Sequence, residues 1–318
     1  AIQHKYGTTE FEEAPQRNVV EVSSERPVHV LTLCGKTAPA LQTLAQAFVT
    51  HLARSDVGLG DICFTANTGR PRLPHRCAVW GRDARSLVTQ IEALLRQGHA
   101  EHGLTAVSGS MPAAIVFDFG AATEPPRSFP EGIEELEKTC ETFRALLAEC
   151  DEAGRAVFGV SLRGRWYGGA SSSSSAVRSA AWIALQYALA RTLHTWGVAP
   201  LACVGHGLGS YAAALVDERL SSRVVFEMLA AGNDAAAVET RAGDDVPEPA
   251  VRVDFAAGDA LPREAEERRV IALGEGLPSL AWSVPALCAQ LHVHGVDVDF
   301  AEMDRGFPRR RVPLPTYP

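Results

Sequence analysis

Two spacings of apolar residues alternate along the chain. Residues 28–33 read Val28-His29-Val30-Leu31-Thr32-Leu33, a β-rich alternation that predicts a strand. Over 37–54, Leu41, Leu44, Ala45, Phe48 and Leu52 fall at helical spacing, with Thr37 placed to cap the helix. Residues 59–66 fit a short helix or turn, and Asn67-Thr68-Gly69-Arg70 reads as a turn because Asn and Gly tolerate positive φ. A second strand is predicted over 76–81. A second long helix is predicted over 83–97, with Leu87, Ile91, Leu94 and Leu95 on one face. These elements form a small α+β unit. Residues 1–27 precede it as a polar lead-in with one short strand at 18–22, and 99–112 follow as a linker containing Gly103, Gly109 and Pro112.

A second unit starts with the apolar run 113–119, as expected of a strand inside a parallel sheet. Residues 133–150 predict one long amphipathic helix, with Leu136, Cys140, Phe143, Leu146 and Leu147 in phase. Residues 155–169 look irregular and aromatic, and the serine run 171–175 reads as a flexible loop without catalytic meaning. An apolar helix over 180–196 closes on Gly197. A strand (200–204), a glycine-rich turn and a helix (211–216) follow, an α/β order. Beyond residue 231 the periodicity fades. Strands are predicted at 251–255 and 270–274 and a helix at 280–294, and the basic, proline-rich tail 305–318 is expected to lie extended along a surface.

Composition narrows the classes. The 318 residues suffice for a large core and two packed units. A net charge of −8 argues against a general nucleic-acid binder. No apolar run is long enough to span a bilayer, and no signal sequence opens the chain. Seven scattered cysteines without a C-x-x-C pair suggest neither disulfides nor a zinc site. A cytoplasmic protein without metal or cofactor is the expectation.

The candidate chemistry lies at Gly205-His206-Gly207-Leu208-Gly209, between a strand and a helix. This is the layout of a nucleophile elbow, G-x-S-x-G, with Gly207 where the serine would stand. Ser210 lies about a turn further along the helix, and Cys203 sits on the preceding strand, expected to be buried; neither has a base that the sequence can point to. His75 and His194 read as surface or core histidines, and Trp166 and Tyr167 as local packing. An unrelated α/β hydrolase would need a serine at the elbow, which Gly207 removes.

Several stretches in order resemble the acyltransferase region of modular polyketide synthases with both of its linkers. Phe64-Thr65-Ala66-Asn67-Thr68-Gly69-Arg70 and 74–79 look like the unit joining ketosynthase to acyltransferase. Residues 142–152, and 184–191 with Trp196-Gly197-Val198, look like helices of the acyltransferase body, and 291–300 and 311–318 like the linker after it. The resemblance implies an α/β fold: a truncated, α/β-hydrolase-like acyltransferase core at 113–294, a small α+β linker subdomain at 28–112, and a linker-like tail at 295–318. It also implies that the required roles are missing. The nucleophile position is Gly207, the oxyanion glutamine falls at Ala122, and the carboxylate-binding arginine falls at Gly232. A shift of register would bring in Arg223 or Arg241, neither in matching text. Residues 233–269 are too short for the subdomain that carries the catalytic histidine, and the remaining histidines, His292 and His294, lie in linker-like sequence. His206 matches the family's histidine beside the nucleophile and reads as kept for packing or by descent. The expectation is a non-catalytic spacer beside a ketosynthase and other synthase domains. It would also be a docking platform for a trans-acting acyltransferase or an acyl carrier protein, with no nucleic-acid or membrane partner. The alternative is an acyl-thioester-processing enzyme, a hydrolase or decarboxylase, using a non-standard residue.

Overall fold

The alternation of the first strand is buried on both sides. In the computed structural model, which describes residues 25–107, 114–167, 174–232, 238, 250–255, 270–272 and 279–318, β1 (His29–Gly35) pairs antiparallel with β2 (His75–Gly81). Val30, Ala78 and Trp80 face the larger of two apolar cores, and Leu31, Leu33, Cys77 and Val79 face the smaller. Helices α1 (Ala38–Arg54) and α3 (Ala84–Gln97) cover the smaller core. Thr37 caps α1 by accepting from the Ala40 N–H, and Asp83 and Ser86 form a capping box on α3. Two expectations change here. Asn67 and Thr68 are the last residues of helix α2 (Leu59–Thr68), and Gly69 has φ −101, so no left-handed turn forms. The expected linker contains a third strand, β3 (Gly103–Val107), antiparallel to β2; five residues between glycine-rich segments gave too little alternation to read. The strand expected at 18–22 lies outside the described residues.

The second sheet is parallel, in the order β5-β4-β6-β7: β4 (Ala114–Asp118), β5 (Ala202–Val204), β6 (Ala250–Asp254) and β7 (Val270–Ala272). With the helices around it, this gives the α/β class. The helix expected over 133–150 is two helices, α4 (Ile133–Thr139) and α5 (Glu141–Phe158). The chain turns at Cys140, whose φ of −130 and ψ of 105 are extended, although its side chain stays in phase with the buried face. Residues 155–158, expected to be irregular, complete α5. A short helix α6 (Arg163–Trp166) follows. Helix α7 (Ser175–Thr195) starts earlier than expected, because Ser174 accepts from the Val177 N–H; residues 171–173 of the serine run lie outside the described residues. Helices α8 (Leu208–Val216) and α9 (Ser222–Ala230) complete this side.

Helix α10 (Leu280–Val293) joins the two units. It packs on the face of the three-stranded sheet opposite α1 and α3, and is buried along most of its length. After α11 (Phe300–Met303) the tail runs extended over α2. The Arg310 N–H donates to Asp61 at 2.8 Å, the Val312 N–H to the Thr65 hydroxyl at 3.1 Å, and the Lys36 N–H to the Tyr317 hydroxyl at 2.8 Å. Val312 and Leu314 pack against the smaller core.

Candidate functional site

Strand β5 delivers the chain into a turn that only glycines fit. A Cβ on Gly205 would lie 2.5 Å from the backbone of Gly209, and one on Gly209 would lie 2.5 Å from the Gly120 carbonyl oxygen. Gly207 has φ 54 and ψ −127, a conformation that strains any residue with a side chain. The strand, sharp turn and helix expected of a nucleophile elbow are therefore all present, with no side chain at the tip.

The loop after β4 fills the elbow. The Phe119 N–H donates to the Val204 carbonyl at 2.9 Å, the His206 N–H to the Gly120 carbonyl at 2.8 Å, and the Leu208 N–H to the Ala122 carbonyl at 2.8 Å. A Cβ built on Gly207 would stand 2.5 Å from that same Ala122 oxygen. In an elbow the N–H of the residue after the nucleophile helps to hold the developing oxyanion. Here that N–H belongs to Leu208 and is already paired with a carbonyl of the chain itself. At its base the loop is fixed by Asp118, which accepts from the Gly120 N–H at 2.9 Å and holds Arg252 at 2.7 Å. Gln186, buried on α7, donates to the Phe119 and Phe255 carbonyls at 3.3 and 3.2 Å. Sequence reasoning missed these partners. In sequence Ala122 shows only the side-chain donor it lacks, and Arg252 and Gln186 reach the loop through the tertiary fold.

The other candidate residues do not converge on the elbow. Gly232 follows the C-cap of α9 with φ 70 and open space where a Cβ would be. Arg223 is on the surface, paired with Glu227 at 2.9 Å, and Arg241 lies outside the described residues. His206 is exposed. The buried Ser210 hydroxyl donates to the Gly205 carbonyl at 3.2 Å, a bond that tightens the turn. Burial, and then Asp217, push the Cys203 thiol far above its ordinary range, which opposes a thiolate there. His75 begins β2 half-buried, His194 is exposed in the last turn of α7, and His294 caps α10. Trp166 donates its indole N–H to the Ala181 carbonyl at 3.0 Å and Tyr167 bonds to the buried Glu137, so both serve local packing. His292 is buried on α10, with Nε2 3.5 Å from the Cys34 sulfur. Burial, and then Arg76 and Arg72, hold its imidazole down to about 3. Burial pushes the Cys34 thiol up. Both shifts oppose activation of the Cys34 thiol by His292.

Comparison with known proteins places these features. Residues 29–91 match the family described as CurL-like, PKS C-terminal. The chain is 31% identical over 220 residues to an orsellinic acid synthase of Armillaria mellea, covering 66% of this chain and 9% of that protein. It is 24% identical over 218 residues to norsolorinic acid synthase of Emericella nidulans, covering 66% of this chain and 10% of that protein. The chain thus spans about a tenth of the length of these curated relatives. Among solved structures, the acyl transferase domain of ZmaA superposes with a TM-score of 0.73 at 14% identity, over 92% of this chain and 99% of that one. The acyltransferase domain from module 8 of the salinomycin polyketide synthase superposes with a TM-score of 0.57 at 23% identity, over 66% and 50%. The fold is thus that of the acyltransferase domains compared, and about two thirds of the chain is similar in sequence to polyketide synthases.

Proposed function

We propose that this acyltransferase-like polyketide synthase region performs no acyl transfer itself. It acts in the cytoplasm as a structural spacer between synthase domains and as a docking platform for a trans-acting acyltransferase or an acyl carrier protein. The observation that carries the reading is the Ala122 carbonyl, which occupies the Leu208 N–H and lies where a side chain at Gly207 would be. Acyl transfer through a covalent ester needs both a nucleophile and a vacant oxyanion donor, and this elbow supplies neither. Incubation with acetyl- and malonyl-CoA followed by intact-mass measurement is expected to show no covalent adduct; stable labelling at any residue overturns the non-catalytic reading. Docking is tested by titrating acyl carrier proteins and free-standing acyltransferases onto the chain, and absence of binding to all of them leaves the spacer role alone.

The contact between Cys34 and His292 favours a second reading, an acyl-thioester hydrolase with a cysteine nucleophile. The protonation states set by burial oppose it. The same mass measurement separates the two, since this reading requires an adduct on Cys34 that Cys34→Ala abolishes.

A further inference from the structure

We propose that the outer edge of β3, with the apolar cavity beside it, receives an extended segment of another polypeptide. That segment pairs strand to strand with β3 and is seated by one large aliphatic or aromatic side chain. The inference rests on the docking reading above and gives it a site.

The two edges of the three-stranded sheet are treated differently. Beside β1, the Asn67 amide takes the place of a neighbouring strand: it donates to the Val30 carbonyl at 2.8 Å and accepts from the Thr32 N–H at 2.9 Å. Beside β3 there is no such cover among the described residues, where β2 is its one strand partner. The Trp80 N–H donates to the His102 carbonyl at 3.0 Å, so residues 80 and 102 face each other as a hydrogen-bonded pair. Antiparallel pairs alternate, so Leu104 and Ala106 bond to β2 while Thr105 and Val107 turn their N–H and C=O groups outward. The outer side of Gly103 faces Ala100. Between 103 and 107 there is no charged residue or proline, the usual guards of an open edge.

Against this edge, between α1 and α3, opens a cavity of about 410 Å³. Its floor is Leu41, Ala45, Cys77, Ile91 and Leu94, all buried, and the exposed Thr105 stands at its rim. No carboxylate, lysine or arginine lines it among the described residues, which selects an uncharged anchor. Free strand backbone beside an apolar pocket is the arrangement of strand addition, where main-chain bonds give affinity and the pocket gives specificity. The backbone donors and acceptors favour a polypeptide over a small apolar molecule, and the net charge of −8 on each copy disfavours a second copy of this chain.

The test is a titration of the isotope-labelled full chain, followed by NMR, with acetyl-Ser-Val-Phe-Val-Ser-amide at concentrations on the order of millimolar. The expected result is shifts of the Thr105 and Val107 amides and of the Leu41, Ile91 and Leu94 methyls. A backbone N-methylated peptide should bind about tenfold more weakly or not at all. Thr105→Pro should abolish binding while leaving the pairing with β2, which does not use the Thr105 N–H; Thr105→Lys, at an exposed side chain, is the variant to use if the proline variant unfolds. No shift at these concentrations, shifts elsewhere, or unchanged binding by the edge variants overturns the proposal. A concentration-dependent dimer lost in the edge variants also overturns it, in favour of self-pairing. A carrier protein or acyltransferase that binds wild type and edge variants alike keeps the docking reading and rejects this site. Peptide binding without binding of those proteins keeps the site and rejects the reading.

Discussion

Gly207 looks in sequence like one lost hydroxyl, and in structure it is a position with no room for a side chain. Its φ of 54 costs a residue with a Cβ about 1–3 kcal/mol, and the Ala122 oxygen lies 2.5 Å from where that Cβ would be. Gly207→Ser is therefore expected to give no acyl adduct and to lower stability by about that amount, read from urea unfolding and intact mass. An adduct would show that the loop yields to the introduced serine. Gln186 provides an independent check on the same loop. Replacing it by Leu leaves the Phe119 and Phe255 carbonyls without their side-chain donor, at a cost of about 1–3 kcal/mol, and should speed hydrogen exchange at the Leu208 amide. Unchanged exchange would mean that the loop is held by its own backbone bonds alone. The missing serine could be read from sequence because it is a matter of residue identity. The occupied donor could not, because any residue at 122 carries a carbonyl and only the fold aims it.

At the scale of elements, the signals that survived are those whose cause is local. Thr37 caps α1 as the sequence predicts, and the strands expected over 28–33 and 76–81 form there. Readings failed where a distant partner decides. Asn67 has the chemistry of a turn residue, yet its amide is required on the edge of β1, and that requirement keeps it in the last turn of α2. Asn67→Ala leaves the Thr32 N–H and the Val30 carbonyl without this partner in a buried setting. Thermal or urea unfolding should report a loss of about 1–3 kcal/mol. A loss of a few tenths would show that solvent reaches that edge. The break between α4 and α5 is the same kind of miss: Cys140 keeps the helical phase of its buried side chain, so the pattern carries no trace of its extended backbone.

Across the whole molecule, the seam between the two units runs through α10 and contains a group that opposes acid. His292 is buried there against Cys34 and Phe300, with Arg76 and Arg72 on the sheet side and Asp297 following the helix. Burial first, and then the two arginines, hold its pKa down to about 3, whereas in the unfolded chain it is near the ordinary histidine value of about 6.5. Between those values the unfolded chain binds a proton that the folded chain refuses. Stability is therefore full above pH ~6.5 and falls as pH drops toward ~3, by up to about 1.4 kcal/mol per pH unit from this group. Carboxylates add their own acid dependence, so the comparison that isolates the histidine is wild type against His292→Gln. Urea unfolding between pH 7 and pH 5 should show wild type losing about 2 kcal/mol more than the variant. Parallel pH profiles would mean that the seam admits a charged imidazole, and that the two units are less tightly closed on each other than the burial of α10 implies.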